Sequence, residues 1–564
     1  MAKVACKLKD PFPVEELSRL DIGNFDGHRD AIVEKVFIPT RSIETFRLDK
    51  HSVIVGAFGT GKSAIFNLVS RKSQLFPAFK DDLIVTINEQ IQFDQLKGES
   101  TSLFPSLSDK LTYQLIWKFQ VFRRVSEEIA KLPGFPNSES EKYIGEFLTR
   151  TGGKGGYQSI LSRLRSLFEN VSVTIKTKLS QSPIDVKLGQ EAGKAKKRVE
   201  INLDSLMEKF EKALAERNIR RATILVDKLD KFVAGEDYQT QKSYIESLLE
   251  VEDDLFHQEF LGFKIFIRSD LYDRLDFSSL GPDKAEDNTL RLKWSKEEIR
   301  SFVAKRLYIA LHECGIWDFQ DVFASSDLSD YSLKWHEKIL LNKEKEGIRY
   351  HIARIYSKFF GRQRNTRPLY EKMDLIVVRK LFSNYLLHEC EEGNRKSITP
   401  EDFLDTHFLD GNDSCTPRYM LVFLKEIIEE ASHFYTRSPD IHVTPILSES
   451  EWVYQLFTPE ISYKAYISSK EKYIRHVSKV DEKWADKIKI FLDRRGNKKN
   501  FDFKWIKSNL EFKKYDEEEA IMFMIYLKVI GFLKETKFET DIKKRQFEIP
   551  ILYRKERGAI LNPA

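Results

Sequence analysis

Five short runs of apolar, largely β-branched residues punctuate the first 295 residues: Ser52–Val55 (SVIV), Leu83–Ile87 (LIVTI), Ala222–Val226 (ATILV), Phe263–Ile267 (FKIFI) and Thr289–Leu292. They are nearly continuous rather than alternating, as in strands covered on both faces. Helical stretches lie between them, so the pattern predicts a parallel α/β sheet. About 130 residues separate the second run from the third, far more than a crossover needs. Helical periodicity near 106–130 and 158–169, an alternating piece over 171–179 (VSVTIKTKL) and a Gly/Lys-rich segment over 187–198 fill the gap. Residues 95–215 are therefore expected to form an insertion with an exposed basic loop.

From 296 to 436 the periodicity is helical throughout (KEEIRSFVAKRLYIAL, DLIVVRKLFSNYLL, RYMLVFLKEIIEEA), predicting an all-α lid domain. Pro439 and Pro445 mark a connection. Residues 447–564 read as a separate unit with helices at 483–492 and 503–510 and a third beginning at Asp516. Its cap would be the Asp516 side chain, and Glu517 to Glu519 would sit in a first turn that favours acids. Strand-like GFLKETKF follows, then the charged turn ETDIKKR, then alternation at Phe547, Ile549, Ile551 and Tyr553. Three helices followed by a β-hairpin is a winged-helix-like order. The expected domains are thus 1–295, 296–436 and 447–564.

The 564 residues are 41% hydrophobic, with 41 Phe and 21 Tyr, which excludes wholesale disorder. Lys and Arg number 92 against 87 Asp and Glu, too even a balance to imply nucleic acid by itself. Cys6, Cys314, Cys390 and Cys415 lie far apart without zinc-ligand spacing, as suits a reducing compartment. The first 20 residues lack the apolar core of a signal peptide. The longest near-apolar run, Ala520 to Leu533, contains Lys528 and falls short of the roughly 20 residues a membrane span needs. A soluble, cytoplasmic chain without membrane attachment is expected.

The chemistry is announced just after the first apolar run. Gly56-Ala57-Phe58-Gly59-Thr60-Gly61-Lys62-Ser63 stands between a strand and a helical stretch that opens with Ala64. This is G-x-x-x-x-G-K-[ST] in its required context. The glycines let successive N–H groups turn inward around phosphate oxygens, and the helix N-terminus adds its positive end. Lys62 would reach the β- and γ-phosphates and the Ser63 hydroxyl would bind Mg²⁺. The third run ends in Asp227-Lys228-Leu229-Asp230, an apolar strand delivering a carboxylate where open α/β sheets bind ligands. Asp227 is the expected partner of Mg²⁺ through its water shell. ATPases of this arrangement commonly place Glu next, as base for the attacking water; here Lys228 occupies that position. Asp230 is the available substitute, and a helix cap is its other reading. The fourth run leads into Arg268-Ser269-Asp270, whose polar tip can sense the γ-phosphate or orient water; a salt-bridged surface arginine is its other reading. Asn88-Glu89, after the second run, reads as a polar switch or an ordinary loop.

In this order of elements the chain resembles the additional-strand P-loop ATPases, and within them the bacterial KAP- and STAND-related ATPases. VDKLD, FIRSDLYDRL, LRLKWSKEEIRSFVAKRL and Thr416-Pro417-Arg418-Tyr419 carry the resemblance. It spans residues 20–436 and extends loosely to the winged helix. The chain departs from the pattern at Lys228, in the 95–215 insertion and in having no membrane helices. The resemblance implies a nucleotide-driven motor or switch in anti-phage defence or DNA maintenance, ATP rather than GTP, and Arg418 as the lid arginine on bound nucleotide, with Arg367 competing. It also implies a homo-oligomer in which a neighbouring subunit donates an arginine, and an effector protein encoded nearby.

Residues 465–564 hold 24 Lys and Arg against 16 Asp and Glu. A basic winged helix suggests nonspecific contact with nucleic acid, with Lys543-Lys544-Arg545 on phosphates. The acidic start and apolar body of the third helix oppose base reading and fit a protein-interaction role equally well. The expected function is a Mg-ATP-hydrolysing ATPase in which Lys62, Asp227, Asp230 and Arg268 act on the phosphates. A nucleotide-gated scaffold that does not hydrolyse is the alternative.

Overall fold

The computed structural model describes residues 12–38, 40–87, 109–150, 173–179, 182–188, 203–229, 238–277, 281–316, 377–389, 395–438, 440–441, 443, 446–448, 451–453, 455–477, 482–512 and 517–554. The chain divides into two compact units, one spanning Arg41–Lys293 and the other combining Met1–Thr40 with Trp294–Ala564.

The Arg41–Lys293 unit is built on five strands, β1 (Val53–Gly56), β2 (Leu83–Ile87), β3 (Ala222–Val226), β4 (Leu261–Arg268) and β5 (Thr289–Arg291). They are all parallel and ordered β2-β3-β4-β1-β5. Every apolar run expected to be a strand is one. β1 and β3 are buried at each position, which is why their sequences show no alternation. α1 (Lys62–Lys72) follows β1, and α2 (Asp109–Ile129), α3 (Glu139–Arg150), α4 (Leu203–Glu216) and α5 (Tyr238–Leu255) complete the unit's longer helices among the described residues. Fully buried Trp117 of α2 donates Nε1–H to the Tyr244 carbonyl of α5 at 3.1 Å. The alternating 171–179 piece yields a strand, Val173–Leu179, paired antiparallel with Ser182–Leu188. Residues 158–169 and most of 187–198 lie outside the described residues.

Charges lock the N-terminal ends of the strands. The Asp82 carboxylate accepts from Arg220 Nε at 2.8 Å, Arg221 Nε at 3.1 Å and Thr223 Oγ1 at 2.6 Å. Lys264, inside β4, pairs with Asp49 at 2.8 Å. Burial pulls its ammonium below the ordinary lysine value, and Asp49 opposes that shift.

In the other unit α6 (Lys296–Glu313) starts with a capping box, Ser295 and Glu298 each serving the other's backbone N–H. Arg306 of α6 is buried against Asp30 at 2.7 Å and donates to the Ile22 carbonyl at 2.5 Å, which ties down the 12–38 segment. α7 (Pro417–Arg437) and α8 (Pro459–Val477) pack side by side. The helical pattern over 296–436 is interrupted by a short antiparallel pair, Leu386–Glu389 with Arg395–Ile398.

The C-terminal elements run α9 (Glu482–Arg494), β6 (Asn500–Asp502), α10 (Phe503–Asn509), α11 (Glu517–Val529), β7 (Lys534–Lys537) and β8 (Gln546–Glu548). β8 lies between β6 and β7. Two details differ from the sequence expectation. β6 is a third strand, whose last residue, Asp502, also caps α10 by accepting from Trp505 N–H at 2.8 Å. The alternation through Tyr553 does not continue β8: Pro550, which has no N–H for a ladder, ends it, and Ile551–Tyr553 form a 3₁₀ turn. Asp516 lies outside the described residues. No helix among the described residues is long and apolar enough to cross a membrane.

A loop at 410–414, with Asp410 buried and Asn412 and Asp413 exposed, stitches α7 to the C-terminal hairpin. Gly411 N–H donates to the Gly531 carbonyl at 2.6 Å, Lys534 pairs with Asp413 at 2.6 Å, and the Tyr419 and Tyr553 hydroxyls meet at 2.6 Å. Asp410 Oδ1 accepts from the N–H groups of Asn412 at 2.9 Å and Ser414 at 3.0 Å. Burial nevertheless pushes this carboxyl up to about 7. The folded state thus resists its ionisation: the penalty is absent below about pH 4, grows as pH rises toward 7 and stays constant above that. Asp410→Asn keeps the oxygen that both amides use. The variant should therefore melt higher than wild type at about pH 8 and lose that advantage near pH 4.5. An equal difference at both pH values, read by thermal denaturation, would contradict this assignment.

Candidate nucleotide-binding site

The loop after β1 has the backbone its motif requires. Gly59 and Gly61 have φ of +86° and +97°, conformations that glycine adopts without a Cβ penalty. No heavy atom lies within 4 Å of a Cβ built on Gly61, so the demand there is conformational rather than steric. At Gly56 it is steric, because a Cβ would collide with Thr60 Oγ1. Thr60 is buried and its hydroxyl donates to the Ala57 carbonyl at 2.9 Å, cross-bracing the loop. Lys62 Nζ donates to the carbonyls of Gly56 at 2.7 Å and Ala57 at 3.0 Å. Its ammonium is thus held against the loop by acceptors that phosphate oxygens can replace. Ser63 and Ala64 lie in the first turn of α1, next to its N-terminal N–H groups.

Sheet register places the other candidates. β4 separates β1 from β3, so Asp227 stands two strand spacings from the loop strand, about 10 Å. That separation suits a carboxylate acting on a cation through water. Asp227 is buried, and its N–H donates to the Ile87 carbonyl at 3.2 Å. The next residue, Lys228, has φ of +65°, unusual for a residue with a side chain. The strand therefore ends in a sharp turn directly after Asp227. Arg268, the last residue of β4, is level with Gly56 in the parallel pairing. Its guanidinium grips Asp270 with both arms, Nε to Oδ1 at 2.9 Å and Nη2 to Oδ2 at 2.7 Å.

The Arg41–Lys293 unit thus brings together the 56–64 loop, Asp227 and Arg268. Arg418 belongs to the other unit, at the start of α7, where Nη2 donates to the Phe25 carbonyl at 3.1 Å. Burial lowers its pKa, with Asp26 opposing the shift. Asp230, Arg367, Asn88 and Glu89 lie outside the described residues. The sequence reading placed Asp270 within the polar strand tip but not as the partner of Arg268, although Arg-x-Asp spacing is a signal for that pair. It also missed the tie between Asp273 and Arg291 at 3.0 Å, which no local pattern announces.

A buried carboxylate, a hydroxyl-bearing residue at a helix N-terminus and a glycine loop with two left-handed residues fit a nucleotide phosphate chain with Mg²⁺. Sheet order and loop together define an α/β P-loop NTPase fold.

No protein-family model matches the chain, and no curated protein does. Among solved structures it is similar to ORC2 of Aeropyrum pernix in ADPNP–ADP complexes, with 10% identity, a TM-score of 0.32 and coverage of 93% of this chain and 90% of that one. It is also similar to ORC1 of the same organism in complex with DNA, with 11% identity, a TM-score of 0.32 and coverage of 93% and 92%. At that overlap the site's own geometry carries the assignment.

The positive φ at Gly61 makes a direct prediction. Gly61→Ala should lower stability by about 1–2 kcal/mol, the cost of a side chain in the left-handed region, as read by chemical denaturation. A change within about 0.3 kcal/mol would mean that the loop relaxes to another conformation.

Proposed function

We propose that the chain is a Mg-ATP-binding and hydrolysing P-loop ATPase that works as a motor or switch. The observation that carries this is the strand–loop–helix phosphate cradle of residues 56–64, with Asp227 two strands away across a strand tipped by Arg268. Lys62 grips the β- and γ-phosphates, and the loop N–H groups and Thr60 keep the cradle in shape. Ser63 and Asp227 are the residues that would hold Mg²⁺, which would supply charge neutralisation on the phosphates. Asp230 orients the attacking water, an assignment that rests on its spacing from Asp227. Arg268 reads the terminal phosphate.

A role in bacterial genome defence or DNA processing, with a homo-oligomer, an arginine donated in trans, Arg418 on the nucleotide and a separate effector protein, rests on the resemblance to the KAP- and STAND-related ATPases. The element order of residues 482–554 supports reading the last domain as winged-helix-like. Its charge favours nonspecific contact with phosphate backbones. Of the acids at the tip of the third helix, Glu517 is paired with Lys507 and with Lys543 of the basic turn, each at 2.5 Å. Those two bonds hold its carboxyl below the ordinary value.

The alternative, a nucleotide-gated scaffold, is favoured by Lys228, a cation where relatives of this arrangement carry the base. Asp230→Asn separates the two. Loss of turnover with unchanged ATP affinity supports the enzyme, and unchanged slow turnover supports the scaffold.

The main test is steady-state ATP hydrolysis with and without double-stranded DNA, with Lys62→Ala alongside. Turnover should disappear in the variant, whose melting curve checks its fold. Turnover that persists would place hydrolysis elsewhere. Stimulation by DNA would make the C-terminal unit a working surface.

A further inference from the structure

Arg268 stands beside Gly56 across the β1–β4 pairing, one strand spacing from the phosphate loop, yet both arms of its fork are bonded to Asp270. The pair is well shielded, with side-chain exposures of 13% and 11%. Such a bidentate, charge-assisted bond fixes orientation as well as position.

The carboxylate cannot readily follow the arginine. Asp270 sits on a one-turn helix, Ser269–Tyr272, that is bolted to the far side of β1. The Tyr272 hydroxyl meets Thr289 Oγ1 at 2.7 Å and donates to the Ala285 carbonyl at 3.3 Å. Asp273 pairs with Arg291 at 3.0 Å, and the Arg291 guanidinium lies 5.3 Å from the Tyr272 ring centroid. β1 lies between β4 and β5, so this turn spans the loop strand and is anchored on its other neighbour. When Arg268 is drawn toward a new anion, its own side chain must move and the carboxylate stays.

Building on the proposed site, we infer that Asp270 is a positioning residue that holds Arg268 in reserve and makes its engagement conditional on a terminal phosphate. ATP has a γ-phosphate able to compete for the guanidinium, and ADP has none. Asp270 thereby lowers the affinity for ATP relative to ADP.

The test measures ATP and ADP affinity of the full chain with Mg²⁺ by calorimetry, using a non-hydrolysable ATP analogue. Asp270→Asn preserves shape and removes the charge. It should tighten analogue binding by about tenfold, within the range common for coupled sites, and leave ADP affinity unchanged. Adding Arg268→Gln should abolish that gain, and unchanged ADP affinity in both variants checks the fold. An analogue-to-ADP ratio that Asp270→Asn leaves unaltered overturns the inference. So does a gain that survives in the double variant, since it would not pass through Arg268. Wild-type protein that binds neither nucleotide overturns the site itself together with this inference. Binding that Lys62→Ala abolishes, with an unaltered ratio in Asp270→Asn, overturns this inference alone.

Discussion

All five strands of the nucleotide unit point the same way, and the loop strand β1 has β4 rather than β3 beside it. Parallel strands deliver their carboxyl ends to one edge, so the residue after each strand lands there whatever its distance in sequence. Gly56 and Arg268 become neighbours across more than 200 residues of chain, and Asp227 stands one strand further on. The chemistry proposed for this chain depends on that order.

What keeps the edge in shape is found largely off it. At the opposite ends of the strands, Asp82 gathers Arg220, Arg221 and Thr223, and Asp49 neutralises buried Lys264. Buried charges such as Asp82 and Lys264 are costly unless paired, and each is paired here. At the C-terminal edge of the sheet, the 269–273 turn supplies two carboxylates to arginines on either side of β1, Asp270 to Arg268 and Asp273 to Arg291. The loop strand is flanked by two arginines that are each held by that single turn.

In the other unit the same principle joins elements far apart in sequence. The 410–414 loop and the Tyr419–Tyr553 hydroxyl pair connect the start of α7 to the last hairpin. Residues read from sequence as a lid and a separate C-terminal domain share one continuous hydrophobic cluster, which includes Phe403, Phe423, Phe532 and Tyr553. A shift at α7 would therefore be felt at the C-terminal elements.

Local chemistry made some of this legible in advance. Strands covered on both faces read as nearly continuous apolar runs, so all five could be found from sequence although Lys264 and Arg291 interrupt the pattern in β4 and β5. A loop needing two left-handed residues and a close backbone approach must carry glycines at fixed spacing, so residues 56–63 declared the cradle. Pro550 should have warned against a long last strand, since a proline cannot donate to the ladder. The rest was decided only in three dimensions. Asp273 looks like an ordinary turn acid until the sheet brings Arg291 to it, and Glu517 looks like part of an acidic tip until Lys507 and Lys543 pair with it. Spacing along a chain encodes backbone conformation and burial. Which charge meets which depends on strand order and helix packing, and those are properties of the whole fold.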